Sequence, residues 1–455
     1  MSNLHVEDTI TAIATPPGIG AISVIRISGN NTFKAVDSIF RGKILIAEVA
    51  SHTIHYGKIV NPSDELIDDV LISVFKNPHS YTGEDSVEIS THGNPYITQQ
   101  IIELLLTQNI RIAEPGEFTK RAFLNGKIDL TQAEAVVDVI NSRTAVSFRG
   151  ARNQLDGLLS KKVRGLRNLL LNTSSYIELE LDFAEENLEF IGHRELLDRV
   201  NEIITEIDNL SATYSFGKII RDGINVSIAG KPNVGKSSLL NYILKESRAI
   251  VSNIPGTTRD IIKEYISIDG ILFRLYDTAG IRIPNNEIEK EGVIRSRETV
   301  KNSDIVIFLN DIETGISKEL YQELLSLTEK QKIITVVNKI DIDPSKAKNF
   351  DADLFISALT GEGIDQLFMK LKSLIHNVSG YTEKSAIVSN LRHYNCLIRA
   401  KENLLNAKFS IAEKLSGEFI AVDLRNAESD LGEIIGEVTS DDILNNIFMK
   451  FCIGK

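Results

Sequence analysis

The eight residues Gly230-Lys-Pro-Asn-Val-Gly-Lys-Ser237 carry glycines, a lysine and a hydroxyl at the spacing of a phosphate-binding loop. Their surroundings fit, since Asn225–Gly230 reads as a buried strand and Leu239, Leu240 and Ile243 begin an apolar helical pattern. In such a strand–loop–helix turn Gly235 lets backbone N–H groups approach a polyphosphate, the helix N-terminus adds its dipole, and Lys236 reaches the β and γ oxygens. The Ser237 hydroxyl would ligate magnesium, and Asn233, Val234 and Ser238 complete the loop. Asp277-Thr278-Ala279-Gly280 follows the apolar run Ile271–Tyr276, so Asp277 can hold magnesium through water while Gly280 offers its N–H to a γ-phosphate. A third strand, Ile333–Val337, ends in Asn338-Lys339-Ile340-Asp341. The Asp341 carboxylate can accept from guanine N1 and N2, with Asn338 on the other edge of the base. Adenine would leave that carboxylate unpaired, which is the stronger way to discriminate. Ser357-Ala358-Leu359, after Leu354–Ile356, fits a backbone loop against guanine O6. Four elements in this order predict a site for GTP rather than ATP.

Hydrolysis needs more than binding. In Ras-like enzymes a glutamine after the DxxG turn positions water; here that position holds Ile281, which can neither donate nor accept. Glu287, Glu289 and Glu291 downstream could orient water or simply line a solvated helix. Thr257 and Thr258, in Pro255-Gly256-Thr-Thr-Arg-Asp260, lie where a switch loop must supply a magnesium ligand. Transition-state charge could be met by Arg259 or by a bound cation.

These residues must be positioned by folded domains, and 455 residues suggest two to four, because single cores rarely exceed about 250–300 residues. Residues 1–120 alternate short β-like runs (Ala21–Ile27, Asp69–Phe75, Ser86–Ser90) with turns, then an apolar helical stretch near Ile97–Leu106. Val70, Ile72 and Val74 fall on one face at period two, so this block is expected to be α+β. Residues 121–216 turn helical, with Leu196, Leu197, Val200, Ile203, Ile204, Ile207 and Leu210 on one stripe. Residues 217–378 read as one small α/β nucleotide-binding domain. Residues 379–455 are helical again, with Val422, Leu424, Ala427, Leu431, Ile434 and Ile435 near one stripe. The simplest arrangement packs the two helical segments together with the α/β domain inserted between them.

Composition excludes several classes. No run approaches the roughly 18 apolar residues that cross a bilayer, and MSNLHVEDTI has neither the basic nor the apolar part of a targeting peptide. Two cysteines, Cys396 and Cys452, build no disulfide framework, so a cytoplasmic protein is expected. With 50 basic and 62 acidic residues the net charge is −12, so RNA contact would need a local basic patch. Arg143, Arg149, Arg152, Lys161, Lys162, Arg164 and Arg167 form either such a patch or a solvated helix face.

Beyond the nucleotide motifs, the chain resembles the MnmE (TrmE) family of tRNA-modifying GTPases over its whole length. The resemblance rests on ATPPGIGAISVIRISG at Ala14–Gly29, SYTGEDSVEI at Ser80–Ile89, EPGEFTKRAFLNGKIDLTQAEAV at Glu114–Val136, PGTTRD, TSDDIL at Thr439–Leu444 and the terminal FCIGK. It implies an N-terminal folate-binding and dimerisation domain, a discontinuous helical domain and an inserted Ras-like GTPase domain. It further implies a cytoplasmic homodimer that joins the flavoprotein MnmG in a heterotetramer, with FAD and NADH entering only through that partner. The expected reaction installs an aminomethyl or carboxymethylaminomethyl group on the wobble uridine of certain tRNAs, using a one-carbon unit from a 5-formyl or methylene tetrahydrofolate.

Carried onto matching positions, the folate contacts would be Arg26, Glu88, Lys127 and Lys455, although Arg26 and Glu88 by themselves would more often be structural. The resemblance implies potassium activation, with Asn233, Ser252, Ile254 and Thr257 around the ion and Thr258 on magnesium. Asn253, Pro255 and Gly256 belong to the same switch segment, and Glu289 becomes the residue that orients water. Cys452 is a candidate nucleophile or a small buried thiol. Where the family has His-Gly-Gly this chain has His92-Gly93-Asn94; if that position needs a positive φ, asparagine is the best-tolerated substitute. Two rivals share some of these features: a GTP-switched RNA-binding or ribosome-assembly factor, and a folate-dependent one-carbon transferase with a regulatory GTPase domain.

Overall fold

The structure, a computed structural model, describes residues 8–183, 190–246, 263–277, 294, 296–373, 385–451 and 454. The chain divides into two compact units: residues 1–137, 163–168 and 428–455, and residues 138–162 and 169–427.

The first unit is built on a seven-stranded sheet. Its strands are β1 (Thr9–Ile13), β2 (Ile22–Ser28), β3 (Phe40–Arg41), β4 (Thr53–Val60), β5 (Leu66–Phe75), β6 (Ser86–His92) and β7 (Ile110–Ile112), in the order β3-β4-β5-β6-β2-β1-β7. Pairing is antiparallel except between β1 and β7. Alternation sends Ile25 and Ile27 of β2, Ile72 and Val74 of β5 and Val87 and Ile89 of β6 into a core with Val36, Ile101 and Leu105 of the helices Thr32–Ile39 and Pro95–Leu106. The intervening residues Arg26 and Glu88, directly paired in register, lie on the opposite face. Asn94 has φ −115° and ψ 121°, and its side chain accepts from the Tyr96 N–H to cap the helix Pro95–Leu106. The positive-φ premise is therefore corrected: asparagine serves here as an N-cap. The close approach belongs to Gly93, where a Cβ would sit 2.4 Å from the Gly20 carbonyl oxygen.

Residues near the end of the chain belong to this first unit. Leu444, Ile447, Phe448 and Phe451 join Leu130 and Ala133 in one apolar cluster. A side chain at Gly116 would strike the Phe448 carbonyl and the Phe451 side chain, at 2.7 and 2.9 Å.

The second unit holds a six-stranded sheet with helical segments. Its strands are β8 (Ile224–Ala229), β9 (Lys263–Ile268), β10 (Ile271–Asp277), β11 (Ile305–Asp311), β12 (Ile333–Asn338) and β13 (Leu354–Phe355), in the order β13-β12-β11-β8-β10-β9. All pairs are parallel except β9 with β10. Such a sheet buries both faces, and β11 is buried at every residue. The helix His193–Ser211 buries Leu196, Val200, Ile203, Ile204, Ile207 and Leu210 as its period predicts. In the helix Gly417–Ile435 one expected stripe residue departs: Val422 is exposed, because it stands about 200° around the helix from buried Leu424.

The basic stretch at 143–167 is mostly engaged by acids. Arg152 pairs with Asp156 and Lys162 with Glu206; within the first unit Arg164 pairs with Asp129, and Arg167 with Glu428 and Glu437.

Candidate functional site

Parallel strands place their C-terminal ends at one edge of the second unit's sheet, where α/β folds hold ligands. β8 runs out at Ala229 into the loop 230–235, and the helix Lys236–Glu246 starts at once, anchored by buried Leu239, Leu240 and Ile243. Asn233 has φ +66° and Gly235 φ +96°. Both positions turn the loop's backbone so that N–H groups face inward, a conformation open to glycine and tolerated by asparagine. The Lys236 ammonium donates to the Gly230 and Lys231 carbonyls at 2.9 and 3.1 Å, which holds it over the loop. Ser237 and Ser238 stand on the first turn of the helix, with Ser238 exposed.

Gly235 has a second reason to be glycine. A Cβ there would lie 2.3 Å from the Asn338 side-chain nitrogen. Asn338 is 2% exposed; its Nδ2 donates to the Val234 carbonyl at 2.8 Å, and its Oδ1 accepts from the Ala358 N–H at 2.9 Å. One amide thus ties the phosphate loop to the Ser357–Leu359 loop and keeps a single N–H for a base edge. Lys339 follows in the left-handed region at φ +64°, and Ile340 is buried with Ile312 and Val337. The buried Ser357 hydroxyl donates to Asp341 Oδ1 at 2.5 Å and accepts from the Thr360 N–H at 3.1 Å. Asp341 is thereby aimed with one oxygen already bonded. Leu359 is 80% exposed beside it.

Asp277 ends β10 with its Oδ1 buried and without a hydrogen-bond partner among the described residues. An orphaned buried carboxylate oxygen costs free energy unless a cation or water meets it. The donor set of Asp277 and Ser237 suits magnesium, a hard cation that takes oxygen ligands. Thr278, Ala279, Gly280 and Ile281, the switch residues Ser252–Thr258 with Arg259, and Glu287, Glu289 and Glu291 lie outside the described residues.

Sequence reasoning passed over Asp311. It ends β11 beside Asn338, and both of its carboxylate oxygens are hydrogen-bonded. Burial alone would raise its pKa; the Thr314 N–H and hydroxyl and the Glu313 N–H outweigh that and lower it. An aspartate at a strand end preceding a glycine-containing turn was the available signal.

The first unit brings two of the expected folate residues together. Arg26 Nε and Nη2 donate to Glu88 Oε1 at 3.0 and 2.7 Å, and Nη1 lies 3.5 Å from the Gly454 carbonyl oxygen. The guanidinium sits over the rings of Tyr81 and Phe118, 5.5 and 5.6 Å from their centroids. Lys127 is engaged elsewhere: its ammonium donates to the Pro78 carbonyl at 2.9 Å, and its stem packs against Gly83. Cys452 and Lys455 lie outside the described residues, although Gly454 between them rests on Ile13 and Ala14.

The same unit holds an ionic network that the sequence does not single out. Arg121, 2% exposed, donates to Asp8, Glu84 and Glu117, and Arg111 donates to Asp8 and Glu117. Glu84 also accepts from Ser28, so the loop carrying Tyr81 is tied to β2. The EPGEFTKR run was the signal, but no periodicity identifies which of its charges turn inward.

The comparisons with known proteins agree with this geometry. Residues 9–127 match the model of the GTP-binding protein TrmE N-terminus, and residues 130–452 match that of the MnmE helical domain. The tRNA modification GTPase MnmE of Carboxydothermus hydrogenoformans is 44% identical to this chain, covering 99% of it and 100% of the relative. That of Clostridioides difficile is 43% identical with the same coverage. Among solved structures, a point variant of Aquifex aeolicus Era bound to GDP.AlF4- is 25% identical over 40% of this chain and 67% of its own, at a TM-score of 0.27, and nothing further rests on so partial a likeness. With relatives matched end to end and the guanine loops assembled, the chain belongs to the MnmE family of tRNA modification GTPases.

Proposed function

We propose that this GTPase drives modification at position 5 of the wobble uridine in certain tRNAs, together with the flavoprotein MnmG. In this reading the second unit supplies GTP hydrolysis. The Arg26–Glu88 face holds a tetrahydrofolate that donates the one-carbon unit, with Lys127 and Lys455 toward its glutamyl carboxylates. The observation that carries it is the Arg26–Glu88 pair. It is a charged, half-buried hydrogen-bonding couple flanked by two aromatic rings, in a unit that holds none of the guanine motifs. Such a couple suits a flat heterocycle bearing amino and ring N–H groups.

The division into an N-terminal domain, a two-part helical domain and an inserted GTPase domain, at 120, 216 and 378, belongs to the same proposal. So does the hydrolytic apparatus. Potassium at Asn233, Ser252, Ile254 and Thr257 replaces an arginine finger, Thr258 joins Ser237 on magnesium, and Glu289 orients water. Two copies of the GTPase domain meet across the nucleotide. Cys452 lies close in the chain to Gly454, whose carbonyl reaches Arg26, which supports a place for it near the folate.

Mass analysis of tRNA nucleosides from cells lacking this protein tests the proposal. Wobble uridines without their aminomethyl-type substituent are expected, and a normal nucleoside profile would overturn it.

A further inference from the structure

The strand pair β9–β10 joins the two halves of the hydrolytic machinery. β9 begins three residues after Asp260 of the PGTTRD segment, and β10 ends on Asp277. Its outer turn, Asp269 and Gly270, takes φ +50° and +83° and lies at the opposite end of the hairpin from Asp277. Partway along β9, and again at that turn, it meets residues that no guanine motif contains.

Arg143 places its guanidinium carbon 4.0 Å from the centroid of the Tyr265 ring on β9. A Cβ on Gly270 would lie 2.5 Å from Val146 Cγ2, so the turn packs directly on that side chain. Neither residue is loosely held. Arg143 precedes a capping box in which Thr144 and Ser147 exchange side-chain and backbone hydrogen bonds at the start of the helix Ala145–Leu155. That helix packs on the helix Tyr214–Asp222, where a Cβ on Gly150 would be 3.1 Å from Ile220. Arg221 of the second helix is bonded to Asp138 at 2.9 Å. The chain then enters β8 through Gly223, at φ +73°, whose Cβ would lie 2.6 Å from the Leu272 carbonyl of β10. The helical segment that braces the phosphate-loop strand therefore also grips the far end of the hairpin.

We propose that Arg143 is a positioning residue for GTP hydrolysis, acting through Tyr265 and the β9–β10 hairpin. The hairpin is a two-stranded lever with a hydrolysis segment at each inner end. Holding it at Tyr265 and at its outer turn limits the twist and slide that would move Asp277. Misplacement by fractions of an ångström lowers turnover while leaving the loops that hold guanine and the β-phosphate in place. Binding is set by the loop 230–235 and the Asn338–Leu359 loops, which contain neither Arg143 nor Tyr265.

The test is a double-mutant cycle on the full chain, reading kcat for GTP and the dissociation constant for GDP. Arg143→Ala and Tyr265→Leu are each expected to lower kcat about three- to tenfold, with GDP affinity held within about twofold. The double variant should lose less than the two single losses combined, since both remove the Arg143–Tyr265 contact. Tyr265→Phe keeps the ring face and should restore most of the turnover. Unchanged kcat in both single variants would overturn the proposal, as would additive losses in the double variant. GDP affinity falling in parallel with kcat would also overturn it, reducing the contact to general stability.

Discussion

Asn338 spends its carbonyl and one N–H on protein and stands between two loops, so its main work is to hold the nucleotide site together. Asn338→Ala would leave the buried Val234 carbonyl and the Ala358 N–H without their partner, a cost of about 1–3 kcal/mol. Nucleotide affinity should fall about tenfold or more, measured by GDP titration; unchanged affinity would mean the loops hold themselves. Asn233 poses a sharper question, because two reasons compete for it. Its φ of +66° favours glycine or asparagine whatever it binds, while the family resemblance makes its side chain a potassium ligand. Asn233→Gly preserves the backbone and deletes the amide, so the two reasons separate. If the amide binds potassium, the variant retains GDP affinity yet loses the stimulation of hydrolysis by potassium over sodium. Retained stimulation would assign Asn233 to the backbone alone.

At the scale of elements, local pattern told most of the story. The strands leading to Gly230, Asp277, Asn338 and Ser357 were legible because buried parallel strands are continuous apolar runs and the residues at their ends carry the chemistry. The period-two face of β5 and the stripe of His193–Ser211 followed from geometry alone. Three things were not legible. Val422 looked like a stripe residue because hydrophobicity does not reveal phase at a helix start. Asn94 acts through its side chain as a helix cap, which backbone tolerance does not reveal. The Arg121 network depends on which charges meet across 113 residues of chain, and no local pattern encodes that. The network makes its own prediction. For Glu117, burial would raise the pKa, but hydrogen bonds from Arg111, the Glu114 N–H and Arg121 prevail and lower it from its ordinary 4.5. A lowered folded-state pKa means its stabilisation is fully present above about pH 4.5 and drains away as pH falls through the folded value. Amide exchange in the helix Glu117–Leu124 should therefore accelerate as pH falls below about 4.5, beyond its intrinsic pH trend. Glu117→Gln should flatten that extra dependence. An equally steep profile in the variant would place the acid sensitivity elsewhere.

For the whole molecule, the first unit is stitched from residues at both ends of the chain, whereas the GTP loops lie in the second unit. Phe451 packs against Phe448 with ring centroids 5.4 Å apart, Lys120 donates to Asn445, and the Gly454 carbonyl lies by Arg26. Gly454 is thus part of the candidate folate face, and Phe451 of the apolar cluster with Leu130 and Leu444. Deleting residues 451–455 removes one large aromatic from the cluster with Leu130, Leu444 and Ile447, a loss of about 3–5 kcal/mol by analogy with Phe→Ala in packed cores. It also removes Lys455 and the carbonyl at Arg26 together. The effect should stay within the unit that loses the contacts. Hydrogen exchange is expected to rise in Glu117–Leu124 and Asp441–Phe448 while Ile224–Glu246 stays protected. Binding of 5-formyltetrahydrofolate should be lost, and GDP affinity should be retained. Exchange rising equally throughout would mean that the two units unfold as one. Folate binding that survives the deletion would instead move the ligand away from Arg26 and toward another part of the sheet.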